Sequence, residues 1–459
     1  MDKSIGRQTA DALTWKFLDL VGVKAIFLIR LLVLARLLAP EDFGLLAVGV
    51  TAIAVLMNLS DFGIVPALIQ RPDVSARDYD AGWTVGVIRA TLVVLIILLT
   101  APQIAALFGD TRATAIIQVL AVGVILDALA SIKIAGLNRS LQFRSLAVVH
   151  LANAVVATSV AVVMAPVYGV WALVAGSLAG SLATTVTSYI VAPYRPRLSW
   201  DRSAVNGLLN FGRWIFLTGL IVMIANAGLR VIISRQLGIA ELGIFFLSVR
   251  LAFLPYEAVV GIIDSVSFPV YARLQTNPGR ARELFRTALL GMATLLLPAT
   301  LLLVAIAPGL VEHVLGERWS GTTTAIRILA LSSLVGMAGD AATPLLKGFG
   351  RPSLVTMLEV LQSGLTLALA WLLVGQFGLL GVVMALLIAV AASQPLSIAY
   401  SRALLERPYT GLWRSLSAVT AASLAGALVA AGLDSSLPGI TGFLIAAAAG
   451  AATAFGLIL

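Results

Sequence analysis

The chain has 459 residues, of which 60% are hydrophobic and 12% charged, with no cysteine and a formal net charge of +9. Soluble domains carry about 45–50% apolar and about 25% charged residues, so a soluble enzyme is excluded. Disulfides, thiol nucleophiles and thiolate metal sites are excluded with the cysteines, and with no G-x-x-x-x-G-K stretch, so is ATP held by a P-loop.

Apolar stretches recur from Leu13 to Leu459. As helices rising 1.5 Å per residue, they are long enough to cross roughly 30 Å of hydrocarbon. The alternating segments of about ten residues that a membrane barrel needs are not seen. Breaks at Pro, Gly and charge clusters predict an all-α polytopic membrane protein of about fourteen spans. They fall at 13–38, 43–69, 81–108, 113–137, 143–166, 168–192, 208–236, 241–270, 284–311, 322–347, 353–375, 378–400, 412–432 and 438–459. The first span is too long for a signal-peptide core and lacks a small-residue cleavage pattern, so it is expected to stay as a helix. With the N-terminus in the cytoplasm, nineteen of the 31 basic residues fall in cytoplasmic loops. Only Arg36, Arg112, Arg235 and Arg318 fall outside, a strong positive-inside bias. The excess charge thus reports topology, and a nucleic-acid partner is not expected.

One corner is written twice. Arg36–Gly44, RLLAPEDFG, is echoed by Arg235–Gly243, RQLGIAELG. LFGD from Leu107 matches VLGE from Val314, VLA from Val119 matches ILA from Ile328, and Tyr168–Gly169 matches Phe377–Gly378. Spans 1–6 therefore echo spans 7–12. Six is even, so both halves enter the membrane in the same sense, as parallel lobes related by a pseudo-two-fold along the membrane normal. The expected organisation is an N-terminal lobe at 1–200, a C-terminal lobe at 201–404 and two extra helices at 405–459.

The stretches ARLLAPEDFGLLAVGV, LSDFGIVPALIQR, RVIISRQLGIAELGIFFLSVR and FPVYARLQTNPGRARELFRTAL, in this order and spacing, resemble the polysaccharide transporters. These are O-antigen and exopolysaccharide flippases of the multidrug/oligosaccharidyl-lipid/polysaccharide exporter superfamily. The resemblance runs from about Thr9 to Arg402. It implies a two-lobed bundle in the bacterial inner membrane that moves undecaprenyl-diphosphate-linked glycans to the periplasmic leaflet by alternating access. It also implies membrane lipid as a contact, and polysaccharide polymerase and chain-length proteins as partners. Many relatives place an acid just before the basic residue of the seventh span, where this chain reads Leu229–Arg230.

An ionisable residue deep in a span costs at least about 2.5–3.5 kcal/mol on insertion scales, so each needs a cavity, a partner or a role. Span 1 carries Lys16, Asp19, Lys24 and Arg30; at about 100° per residue Asp19 and Arg30 share a face. In span 8, Arg250, Glu257 and Asp264 recur every seven residues, with Pro255 expected to kink the helix between them. Arg230 shares a face with Asn226 in span 7. Arg89 in span 3 and Arg327 in span 10 stand near span ends, where snorkelling explains them. Asp340 is the interior acid of the stripe Ser333, Asp340, Lys347. Asp61, Asp127 and Lys133 complete the inventory of spans 2 and 4, and Glu359 reads as merely solvated.

A diphosphate brings about two negative charges, for which arginine offers a permanent planar fork and lysine a point charge. The diphosphate-binding set is therefore Lys16, Lys24, Arg30, Arg89, Arg230, Arg250 and Arg327. The set for ion coupling or gating is Asp19, Asp61, Glu257, Asp264 and Asp340, the ion being left open between proton and sodium. Transport of this kind needs no catalytic residue, metal or cofactor; His150 and His313 make no ligand spacing. Two alternatives remain: a cation-coupled multidrug exporter of the same superfamily, and a membrane glycosyltransferase or polymerase. The first should have an acidic cavity, the second a catalytic carboxylate in a long outer loop.

Overall fold

The computed structural model describes residues 3–60, 76–139, 142–198, 213–405, 412–437 and 439–458. Among these residues there are fifteen α-helices. They are α1 (Lys3–Leu37), α2 (Pro40–Leu59), α3 (Ala76–Phe108), α4 (Ala113–Ala128), α5 (Ile134–Arg139), α6 (Phe143–Tyr168), α7 (Val170–Val191) and α8 (Arg213–Leu237). Then come α9 (Ile239–Ala252), α10 (Leu254–Arg273), α11 (Pro278–Gly309), α12 (Thr322–Gly348), α13 (Pro352–Leu405), α14 (Leu412–Ser436) and α15 (Gly439–Ile458). The chain divides into two compact units, Met1–Arg213 and Trp214–Leu459. In the first, α1 packs on α6, α6 on α7, and α4 on α2, α3 and α7. In the second, α12 packs on α9, α10, α11 and α13, while α14 and α15 pack on each other and on α11.

Among the described residues ten helices are long and apolar enough to cross a membrane, eleven if α9 and α10, bent by 46°, count as one span. α1 falls outside that set because Lys16, Asp19, Lys24, Arg30 and Arg36 interrupt its apolar run, and α4 because it has only 16 residues. The chain is a multi-pass membrane protein. One of the ten, α13, has 54 residues and would be roughly 80 Å long if straight, well beyond one crossing. Gly378 breaks it, at φ 56° and ψ −138°, a conformation open to glycine but not to residues with a Cβ.

Two sequence expectations need correction. The fourth span stops at Ala128, short of 137, because Ser131 leaves the helix. Its Oγ donates to the Ala192 carbonyl and its N–H to Ser188 Oγ, both inside the unit. Lys133 therefore sits in a turn, exposed, with Nζ 3.3 Å from the Pro193 carbonyl, and not within a spanning helix. The eighth span bends at Phe253, as Pro255 leads one to expect, but the bend also interrupts the seven-residue stripe. Arg250 lies on α9, and Glu257 and Asp264 lie on α10.

Two of the paired glycine turns match in backbone, whereas the first corner does not: Ala39 has φ −86° and its counterpart Gly238 has φ 94°. Gly169 and Gly378, paired in the sequence, adopt φ 53°, ψ −130° and φ 56°, ψ −138°. Gly109 and Gly316, from LFGD and VLGE, have φ 85° and 95°. At the first corner Ala39 N–H donates to Asp42 Oδ2 at 3.0 Å, with Pro40 opening the helix where its missing N–H costs nothing.

Proline handling is matched too. A proline inside a helix removes the N–H that would bond the carbonyl four residues earlier, and that carbonyl needs another donor in hydrocarbon. Pro102 in α3 frees Leu98, and Gln118 of α4 supplies Nε2 at 3.5 Å. Pro308 in α11 frees Val304, and Arg327 of α12 supplies Nε at 3.0 Å. Gln118 and Arg327 immediately precede the paired VLA and ILA. Arg327→Gln should therefore be tolerated, whereas Arg327→Leu should cost about 1–3 kcal/mol by orphaning a carbonyl. Detergent melting of the two purified variants checks this; equal melting temperatures would contradict it.

The Gly176-x-x-x-Gly180 spacing is a packing seam. A Cβ on Gly176 would stand 2.7 Å from the Ala157 carbonyl oxygen, so only glycine lets α6 and α7 approach this closely.

Candidate functional site

In the first unit the charges of α1 meet α6. Asp19 is 5% exposed, and among the described residues no other charged side chain is so enclosed. Its carboxylate faces His150, whose Nδ1 lies 3.0 Å from both oxygens. Lys16 Nζ stands 5.4 Å from the centroid of the Phe143 ring, and the Arg144 guanidinium 5.4 Å from that of Trp15. Arg30 lies 5.6 Å from the Phe27 ring. Aromatic faces attract such cations without neutralising them. Lys24 is half-buried on the same helix. Arg89 donates from Nη1 to the Ser60 carbonyl at 3.3 Å, at the C-terminal end of α2. The bond goes to an end with unsatisfied carbonyls and a negative dipole. Asp61 lies outside the described residues. Asp127 is exposed at the end of α4, beside Ser181.

At the exposed corner, Arg112 joins Asp110 (Nη2–Oδ2 2.7 Å) and Glu41 (Nη1–Oε2 3.5 Å), tying α2 to the turn between α3 and α4. The guanidinium bond holds the Asp110 carboxyl below its usual range. Exposed pairs of this kind contribute little to stability.

In the second unit Arg230 of α8 and Arg250 of α9 stand close enough for each charge to act on the other. Leu229, just before Arg230, is buried at 3% exposure and brings no carboxylate beside it. Arg250 lies 5.3 Å from the Phe246 ring. Arg327 serves the Val304 carbonyl described above. Glu257 is exposed on α10, and the side chain of Asp264 lies outside the described residues.

The same unit contains a cleft of about 180 Å³ between α10, α12 and α13. Asp340 and Glu359 face it, with Tyr256, Gln362, Ser393 and Gln394. Glu359, expected to be solvated, is thus corrected to a cleft residue near enough to Asp340 for their charges to interact. The Tyr256 hydroxyl hydrogen-bonds the Asp340 side chain. Gln362 Oε1 accepts from Ser393 Oγ at 2.9 Å, and Gln394 Oε1 accepts from the Gly339 N–H at 2.8 Å. Gly339 permits this approach, since a Cβ there would meet that oxygen at 2.9 Å. Pro344 leaves the Asp340 carbonyl without its helical N–H. Carboxylate, amide and hydroxyl oxygens make a lining suited to a hard cation or a proton.

Sequence reasoning missed Tyr256, Gln362 and Gln394. Glu359 and Gln362 are spaced by three and Ser393 and Ser397 by four, a one-face pattern of polar residues in apolar helices. The Asp19–His150 pair carried no such signal, because its partners are 131 residues apart.

The profile of a family described as "Polysaccharide biosynthesis protein" matches residues 33–324. The chain is 24% identical over 338 residues to the succinoglycan biosynthesis transport protein ExoT of Rhizobium meliloti, covering 73% of this chain and 68% of that one. It is 24% identical over 354 residues to the lipopolysaccharide biosynthesis protein WzxC of Escherichia coli, covering 76% and 71%. Its fold matches the inward closed conformation of the lipid II flippase MurJ with a TM-score of 0.73, at 13% identity, over 97% of this chain and 98% of that one.

Proposed function

Since the chain belongs to the polysaccharide biosynthesis protein family, we propose that it is a polysaccharide flippase, a transporter and not an enzyme. Its cargo is an undecaprenyl-diphosphate-linked oligosaccharide, carried from the cytoplasmic to the periplasmic leaflet of the bacterial inner membrane by alternating access. The chain crosses the membrane fourteen times, N-terminus inside, counting α1, α4 and the two halves of α13 as separate spans. Its two lobes of six are related by a two-fold along the membrane normal, with α14 and α15 added. The paired glycines and proline-relief bonds support that relation. A polymerase and a chain-length protein are the partners that would receive the product.

The carrying observation is the juxtaposition of Arg230 and Arg250 within apolar helices. Two guanidinium groups near each other within apolar helices offer planar, permanently charged forks to the oxygens of a diphosphate. Lys16, Lys24 and Arg30 on α1 supply further positive charge for the head group, while the polyprenyl tail stays in lipid. Arg89 and Arg327 serve helix carbonyls and set the frame of their units. Asp340, with Glu359, takes up the coupling ion; Asp19, Asp61, Glu257 and Asp264 complete the acidic set. In cells lacking the protein, labelled undecaprenyl-diphosphate glycan should accumulate in the cytoplasmic leaflet and return to normal on complementation. Unchanged distribution between leaflets would contradict the proposal.

The second reading, export of cationic drugs, draws on the acidic lining of the Asp340 cleft. It requires that expression raise ethidium resistance.

A further inference from the structure

The Asp19–His150 pair does something that a buried acid beside a lysine or arginine would not. The carboxylate is buried, so it is stabilised as an acceptor of the proton on Nδ1. The ring itself is half-exposed, its side chain 47% accessible. With Nδ1 committed to Asp19, Nε2 is the nitrogen left for a ligand. In the neutral ring Nε2 is a bare acceptor, which repels a phosphate oxygen. In the protonated ring it becomes a charged donor, which binds one. A carboxylate behind an imidazole fixes the tautomer and ring orientation in this way at metal sites also.

The surroundings suit an anion. Besides Asp19, α1 carries Lys3, Arg7, Asp11, Lys16, Lys24, Arg30 and Arg36, while α6 carries Arg144 and Tyr168 and α7 carries Tyr189. Six of those seven α1 groups are basic, so the excess charge along this helix is positive. His150 stands seven residues, about 10 Å, inside the start of α6, with Lys16 and Arg144 on the side of that end.

We infer that His150, oriented by Asp19, is a proton-gated ligand for a phosphate-bearing head group: it binds when protonated and lets go when neutral. Proton uptake and cargo binding are then linked within the first unit. This rests on the proposed phosphate-bearing cargo.

The test uses the full-length protein in phosphatidylcholine nanodiscs. Undecaprenyl diphosphate, inorganic pyrophosphate and undecaprenol are the probes, and binding is measured from pH 8 to pH 5.5. Undecaprenyl diphosphate should bind about tenfold more tightly at the acid end, and undecaprenol should show no such gain. His150→Gln should keep the alkaline affinity and lose the gain, while His313→Gln, which changes the only other histidine, should keep it. In the wild type, the Nε2 resonance of His150 should shift on adding diphosphate at pH 5.5, a readout independent of any variant's folding. Competition by pyrophosphate with the same pH dependence would place recognition in the phosphates alone; no competition, with the gain retained, would add the lipid tail. Both outcomes support the site. A pH-independent affinity, an equal gain with undecaprenol or an intact gain in His150→Gln would overturn the inference alone. No binding of undecaprenyl diphosphate at any pH would overturn the phosphate-bearing cargo as well.

Discussion

Replacing Arg230 and Arg250 together by glutamine is expected to lower flipping of the diphosphate-linked glycan about 100-fold or more, with normal amounts of protein in the membrane. Each arginine–phosphate contact is a charge-assisted bond contributing about 1.5–3 kcal/mol net, or roughly 10- to 150-fold in binding. The pair stands on adjacent helices, so their effects should not add independently. Lysine at both positions keeps the charge and loses the planar fork, so it should fall between the glutamine variant and the wild type. Transport by the double glutamine variant within about threefold of wild type would remove these two arginines from the cargo site.

Asp340→Asn is expected to act differently, abolishing stimulation by an ion gradient while the glycan still binds. Asparagine keeps the size and much of the hydrogen bonding to Tyr256 but cannot gain or lose charge. A gradient shifts an equilibrium only through differential affinity for two states, and a permanently neutral group offers none for a proton and little for sodium. In vesicles with an imposed pH or sodium gradient, the stimulated rate should drop at least about tenfold. Glu359→Gln, in the same cleft, should give a smaller loss. Full stimulation of Asp340→Asn by both gradients would sink Asp340 as the coupling residue.

The fold was legible wherever it depended on local pattern. Most helix positions follow from apolar runs. The glycine corners at Gly169 and Gly378 then take the same backbone angles, because only glycine holds that conformation without strain. Where tertiary contacts decide, the reading failed. The fourth span ends early because Ser131 finds partners on α7 and just beyond it, at Ser188 and Ala192, some sixty residues ahead in the chain. Arg327 reads as a snorkelling cation until Pro308 is seen to have freed the carbonyl that it serves. Glu359 looks solvated one turn from a corner until α13 folds back at Gly378 and brings Gln394 and Ser393 to the same cleft. The cations of α1 and the arginines of α8 and α9 were singled out from charge within apolar runs alone. Their neighbours were not, since a sequence without its fold does not tell which helices touch.

The whole account depends on recognition of phosphate in the membrane. Its most direct test is flipping by the purified protein in proteoliposomes. A fluorescent polyprenyl-diphosphate glycan is compared with the same glycan on a polyprenol lacking phosphate, each followed by chemical quenching of the outer leaflet. The account predicts protein-dependent flipping of the diphosphate lipid alone. Equal flipping of both, or flipping of neither while a cationic dye is exported, would contradict it.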